Sequence, residues 1–159
     1  MAMRRDGTQP IIAHGSVYLR AAEREDIPLF VRWMNDWRTS RTLALRAPMS
    51  TVAEEAWFER VTAGQGKDGW FFVACRLEDD RPIGTIGLMQ LDHANGSAGL
   101  GIAVGDPADQ GRGYGTDMLL AIVGWAFDHL RLERIWLDVY DVNPGARRLY
   151  ERVGFVLEG

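Results

Sequence analysis

Gly111, Gly113 and Gly115 alternate with other residues between an apolar run, Ile102-Ala103-Val104, and a stretch whose apolar residues recur at helical spacing from Met118 onward. Glycines let a backbone come close to an anion, and the first turn of a helix offers unpaired N–H groups at the positive end of its dipole. A strand, a glycine loop and a helix in that order therefore suit a phosphate or pyrophosphate. The same loop could serve only as a turn that lets strand and helix pack. Two other phosphate loops fail residue by residue. A dinucleotide fingerprint begun at Gly111 needs glycine where Thr116 stands, and a nucleoside-triphosphate loop needs a Gly-Lys-Ser/Thr ending that is absent. The pattern that is met is Gln/Arg-x-x-Gly-x-Gly/Ala, through Gln110, Gly113 and Gly115.

A second element follows downstream, Asn143-Pro144-Gly145-Ala146-Arg147-Arg148-Leu149-Tyr150-Glu151-Arg152-Val153-Gly154-Phe155. The two together resemble the acetyl-coenzyme A signature of the GNAT superfamily, whose later element reads Asn-x-x-Ala-x-x-Leu-Tyr-x-x-x-Gly-Phe. Leu19-Arg20, Asp26 and Trp33-Met34-Asn35-Asp36 resemble the branch of ribosomal-protein N-terminal acetyltransferases and polyamine acetyltransferases, so the likeness runs over residues 17–159. It implies an N-acetyltransferase that moves acetyl from acetyl-CoA to a primary amine by direct attack in a ternary complex. The implied fold is α/β (α+β), a mixed sheet of about six to seven strands flanked by about four helices, with splayed central parallel strands.

On that pattern the pantetheine arm lies along Ile102, Ala103 and Val104, one of whose N–H groups polarises the thioester carbonyl. The amides of Gly111, Arg112, Gly113, Tyr114, Gly115 and Thr116, following Gln110, would hold the pyrophosphate. Asn143 would contact the cofactor or order the site, and is also a helix N-cap candidate. Tyr150 would protonate the departing thiolate; its plain alternative is a core tyrosine with its hydroxyl satisfied. Acetyl-CoA enters as cosubstrate, and no metal is implied.

The chain departs from the pattern at Gly99, where relatives in this branch often carry a glutamate. Without that base, the acceptor has a low pKa, or water carries the proton, or Asp92, His93 or Glu54 substitutes. A non-catalytic acetyl-CoA-binding sensor is the alternative function. Trp33, Trp37, Trp57 and Trp70 either line an acceptor groove or pack in the core, and Arg38, Arg41 and Arg46 either receive an acidic acceptor or form a solvated basic loop. The acceptor amine is a small molecule or a protein N-terminus. Cys75, remote from the motifs, offers no nucleophile for a covalent route.

Periodicity supplies the elements that must hold these groups. Val17-Tyr18-Leu19-Arg20 reads as a strand, and Asp26 caps a helix with Pro28 in its first turn and Ile27, Phe30, Val31 and Met34 on one face. Residues 37–48 read as irregular. Thr51 and Glu54 have capping-box spacing before a helix carrying Ala56, Trp57, Phe58 and Val61. Residues 70–76, 82–91 and 98–104 read as an antiparallel meander, turned by Asp79-Asp80 and Asn95-Gly96. Met118, Leu119, Ile122, Val123, Ala126, Phe127 and Leu130 then mark a helix, with Asp117 in its first turn and His129 and Arg131 at its end. Ile135, Leu137 and Val139 alternate as a strand, Asn143-Pro144 opens a helix that Gly154 stops, and residues 155–157 read as a last strand. The family adds one more strand, so either the sequence is truncated and stops short of that strand or a loop or a partner copy covers the open edge, which makes a homodimer an expectation.

At 159 residues and 47% hydrophobic content, the sequence suits one domain over residues 16–159 after a disordered lead over residues 1–15. A formal net charge of −4 argues against nucleic acid as partner. A single cysteine allows no intrachain disulfide and no zinc cluster. No apolar stretch is long enough for a membrane span, and a cytoplasmic protein is expected.

Overall fold

The computed structural model describes residues 3–43, 45 and 47–159. Alternating burial builds one six-stranded sheet in sequence order: β1 (Ile12–His14), β2 (Val17–Ala21), β3 (Trp70–Arg76), β4 (Pro82–Asp92), β5 (Ser97–Val104) and β6 (Arg134–Trp136). The first five are antiparallel neighbours, and β6 joins β5 in parallel, so the sheet is mixed as expected. The lead expected to be disordered through residue 15 instead supplies β1, because Ile12 is apolar, sinks into the core and pairs opposite Leu19.

Side chains on a strand point alternately to the two faces of a sheet. On one face Ile86 and Leu88 of β4 and Ala98 and Leu100 of β5 meet Met118, Leu119, Ile122 and Ala126 of α4 (Tyr114–Asp128). The helical stripe read from the sequence is thus the one that packs, except that Phe127, at its margin, is exposed. On the other face Tyr18, Val73 and Cys75 meet Phe30 and Trp33 of α1 (Ile27–Met34). There the short α2 (Trp37–Ser40) and the longer α3 (Thr51–Ala63) complete the layer, and α5 (Pro144–Val153) packs against the start of α4. Among the described residues no helix is long and apolar enough to cross a membrane.

Several local expectations change. Asp26 precedes α1 without capping it; its carboxylate accepts two hydrogen bonds from the Arg20 guanidinium, both at 2.8 Å, and one from the Glu23 amide. Residues 37–40 are helical because the Asp36 side chain caps the Arg38 amide. Ser50, one residue before Thr51, caps α3 by accepting from the Ala53 amide at 3.0 Å. The capping box therefore does not form, and Glu54 faces inward. The strand expected through Val139 ends at Trp136, and residues 155–157 form no strand, since neither segment has a ladder to join. Val156 and Leu157 are exposed.

The strand that matters most is β5. It pairs with β6 only at Ser97↔Arg134, Ala98↔Ile135 and Gly99↔Trp136. From Leu100 to Val104 it has β4 on one side and, among the described residues, no strand on the other. The two central parallel strands splay.

Candidate active site

A cleft of about 910 Å³ opens where β5 and β6 part. Ile102, Ala103 and Val104 line one wall, Gln110, Gly111, Gly113, Gly115 and Thr116 the end, and Asn143 and Tyr150 the opposite wall. Arg112 and Tyr114 turn their side chains away. Arg112 Nε donates to the Ala108 carbonyl at 2.9 Å, and Tyr114 Oη accepts from Arg76 at 3.4 Å.

The loop's chemistry lies in its backbone. None of the amides of Gly111, Arg112, Gly113, Tyr114, Gly115 and Thr116 donates to an acceptor among the described residues; the first to do so is Asp117, to the Gly113 carbonyl at 3.3 Å. Gly113 is the residue before α4 and offers no side-chain cap. A run of unpaired N–H groups at a helix N-terminus is a site for an anion. Gly111 and Gly113 have φ of +73° and +85°, a left-handed region open to glycine, while Gly115 lets α5 close in, with Leu149 Cδ2 3.0 Å from where a Cβ would stand.

Contacts that the sequence did not disclose hold this loop. Buried Asp109 accepts from both ends of the Arg81 guanidinium at 2.9 and 2.7 Å, tying the loop to the β3–β4 turn. The Gly105 carbonyl accepts from Thr39 Oγ at 2.8 Å, and the Trp33 indole lies where any Cβ on Gly105 would fall, 2.1 Å from the nearest ring atoms. The only sequence signal for this clamp was a glycine at the end of an apolar strand, which by itself does not say what approaches it.

On α5, Asn143 Oδ1 accepts from the Ala146 amide at 3.1 Å, so the N-cap role is realised at a residue that also lines the cleft. Tyr150 rests its ring against Phe155, with centroids 6.0 Å apart. No described residue hydrogen-bonds to its hydroxyl, and burial pushes the phenol pKa up. It is therefore a neutral proton donor across the neutral range, which is what a leaving thiolate requires.

A second hollow of about 700 Å³ lies under α1 and α3 and shares Leu43, Met89, Gln90, Gly101, Ile102 and Ala103 with the first. It exists because the sheet face there carries small residues, Thr85 and Gly87 from β4 and Gly101 and Ala103 from β5. Phe30, Trp33, Trp57 and Phe71 wall it. Trp70 contributes to its rim while its ring packs on Phe72 and Trp125, and Trp37 is 72% exposed and takes no part. Gln90, where the two hollows meet, has φ of +50° at a register shift in β4, a strained conformation for a residue with a side chain.

Gly99 has its physical explanation here: a Cβ would stand 3.0 Å from the Trp136 indole and 3.3 Å from Met89 Cγ, so the indole fills the place of a longer side chain. Of the substitute bases, Asp92 is spent on the turn, accepting from Ala94 and Asn95, and those hydrogen bonds hold its carboxyl below the usual range. Exposed His93 reaches the Lys67 carbonyl and lines neither hollow. Glu54 lines the second hollow. Arg38 and Arg41 lie on the first cleft, Arg38 held by Asp36; Arg46 lies outside the described residues. Among the described residues no group of three or more His, Cys, Asp or Glu is placed to hold a metal.

Comparison with known proteins agrees with this architecture. The sequence model described as "Acetyltransferase (GNAT) domain" matches residues 16–156. An uncharacterized prophage-derived N-acetyltransferase of Bacillus subtilis is 30% identical over 141 residues, covering 89% of this chain and 76% of its own. The spermidine N(1)-acetyltransferase of Vibrio cholerae is 29% identical over 143 residues, covering 89% and 79%. A crystal structure of Vibrio cholerae spermidine N-acetyltransferase in complex with CoA and spermine superposes with a TM-score of 0.82 at 26% identity, over 91% of this chain and 83% of that one.

Proposed function

We propose a mechanism from the premise that this chain belongs to the GNAT acetyltransferase family and is an acetyl-CoA-dependent N-acetyltransferase acting on an amine. A single domain over residues 16–159 holds acetyl-CoA in the cleft between β5 and β6, and a primary amine attacks it directly in a ternary complex. The observation that carries this reading is the run of undonated amides from Gly111 to Thr116 beside the unpaired edge of β5. The first suits a pyrophosphate and the second the amides of a pantetheine arm, so the residues present fit the cosubstrate.

Acetyl-CoA would supply its acetyl group as a thioester, and this chain's own groups act around it. Ile102, Ala103 and Val104 align the arm, and an amide of this edge stabilises charge on the thioester oxygen. The amides of Gly111, Arg112, Gly113, Tyr114, Gly115 and Thr116, with Gln110 at their head, hold the pyrophosphate. Asn143 fixes the start of α5 and, through it, the station of Tyr150, which gives its proton to the departing sulfur. Relatives named for spermidine favour a small-molecule amine over a protein N-terminus. One solved relative is dodecameric, and we extend self-association to this chain.

Acetyl-CoA is expected to raise the melting temperature, since a ligand at a hundredfold excess over its Kd adds about 2.7 kcal/mol to stability. Thermal shift and calorimetry check this, and no binding at saturation would remove the proposed cleft. Thiol release across a panel of amines then tests turnover. Gly99, with no carboxylate at its position, favours a second reading, a cofactor sensor; binding without thiol release from any amine would select it.

A further inference from the structure

We propose that Glu54 receives the acceptor: a small primary amine with an apolar body and a single positive charge docks its ammonium on this carboxylate in the second hollow and gives up a proton there before attack. This rests on the acetyl-transfer reading above and names the group and the acceptor chemistry that reading leaves open.

Glu54 occupies a position where its type is not expected. On α3 the inward residues are Glu54, Trp57, Phe58 and Val61, spaced as the core stripe of an amphipathic helix, and Glu54 is only 4% exposed. Buried carboxylates are ordinarily paired, because an unpaired buried charge is costly. Yet no hydrogen bond or ion pair from the described residues reaches this one, and its oxygens are not sealed from solvent: they open on the hollow. It is not used in capping, since Ser50 performs that task. Its place in the first turn of α3 eases the cost through the helix dipole without supplying a partner. Burial accordingly pushes its pKa up.

The surroundings say what the missing partner is. Phe30, Trp33, Trp57 and Phe71 give aromatic walls, which attract an ammonium by its charge and an organic body by its surface. Among the described residues the other charged side chains on the hollow are Arg60 from α3 and Asp68 from the loop before β3; α1 and the strands contribute none. Two carboxylates against one guanidinium leave one net negative charge, which one ammonium neutralises. A polyamine would bring several charges into a hollow with one to offer. The hollow also reaches Gly101, Ile102 and Ala103, which line the cofactor cleft, so the space that receives the amine opens on the strand that aligns the thioester.

Charges and atoms balance. The Glu54 carboxylate takes one proton from the ammonium, and the freed lone pair forms a C–N bond to the thioester carbonyl carbon. The C–S bond breaks, the sulfur takes the Tyr150 proton, and the nitrogen's surplus proton returns to the Tyr150 phenolate through water. Glu54 then releases its proton to solvent as the amide leaves.

The test compares wild type with Glu54→Gln, using phenethylamine and spermidine as acceptors and thiol release as the signal. Wild type is expected to favour phenethylamine over spermidine by tenfold or more in kcat/KM, on the order of one ion pair's worth of discrimination. Glu54→Gln is expected to keep acetyl-CoA affinity and to lose about 10²–10³ in kcat/KM. Wild type should also show an acid limb with one inflection for two monoamines of different basicity, rising as Glu54 ionises, and the variant should lack it. A stability readout separates this from a structural role. A carboxyl whose folded pKa is raised contributes stability below its unfolded pKa and loses it as pH rises through the folded one. Glu54→Gln should therefore melt higher than wild type above neutrality, with the gain shrinking as pH falls into the carboxylate range. Unchanged kcat/KM in Glu54→Gln, or a lower melting temperature with the acid limb intact, overturns the role of Glu54. A tenfold preference for spermidine overturns the acceptor class. Wild type that binds acetyl-CoA yet releases thiol with no amine overturns the transferase reading and this proposal with it.

Discussion

Tyr150→Phe is expected to bind acetyl-CoA as wild type does and to turn over roughly ten- to a thousandfold more slowly. The ring contact with Phe155 survives the loss of the hydroxyl, and no described residue loses a hydrogen bond, so the helix should stay in place. Only the developing thiolate needs the phenolic proton, and the effect therefore falls on kcat. The smaller figure applies if water reaches the sulfur, the larger if α5 keeps it dry. Because burial raises the phenol pKa, wild-type turnover should decline only well into the alkaline range, as the donor ionises, and this decline should vanish in the variant. Isothermal titration with acetyl-CoA and steady-state rates over pH measure both. Wild-type turnover in Tyr150→Phe would leave the residue as a packing group.

Gly113→Val and Gly115→Val are expected to weaken acetyl-CoA binding by about 10- to 100-fold each, the worth of one or two charge-assisted hydrogen bonds. They should do so for different reasons. Gly113 has open space around its Cβ position but a φ of +85°, so a β-branched residue must twist the backbone and re-aim the amides that follow. Gly115 has ordinary helical backbone but meets Leu149 at 3.0 Å, so a side chain there pushes α5, and with it Tyr150, away from the loop. Gly113→Val should thus lose affinity with turnover at saturating acetyl-CoA largely kept, while Gly115→Val loses both. Urea unfolding establishes that each variant is folded, and unchanged affinity in both would refute the loop's role.

The glycine loop and α5 were legible because each is a local pattern: left-handed glycines before a helical stripe, and an Asn-Pro start with a Gly stop, need no distant partner to be recognised. What escaped depends on partners far along the chain. Arg81 with Asp109, and Trp33 with Gly105, are meetings between strand ends and helices that no spacing discloses. Leu137, Val139 and residues 155–157 have strand chemistry without a ladder to join, so residue type alone extends the sheet beyond its real end. Glu54 was placed among three candidate bases by residue type alone. Its inward station on α3, whose cap is Ser50 rather than Thr51, follows from how the helix packs, which residue type does not disclose. Trp37, grouped with the groove tryptophans by type, is exposed because it begins a four-residue helix rather than facing α1.

The parting of β5 and β6 after Gly99 and Trp136 leaves the ladder of this sheet unfinished along one side of a single strand. Alternate amides of a strand point to opposite neighbours, so from Leu100 to Val104 some are locked to β4 and the intervening ones face the gap. Hydrogen–deuterium exchange should therefore be fast and slow by turns within one continuous strand, an odd–even pattern that no frayed terminus produces. Adding acetyl-CoA should slow the fast set and leave the slow set as it was. The ligand then acts on this sheet as a borrowed strand, and deuterium uptake would show protection gained at the gap-facing amides alone.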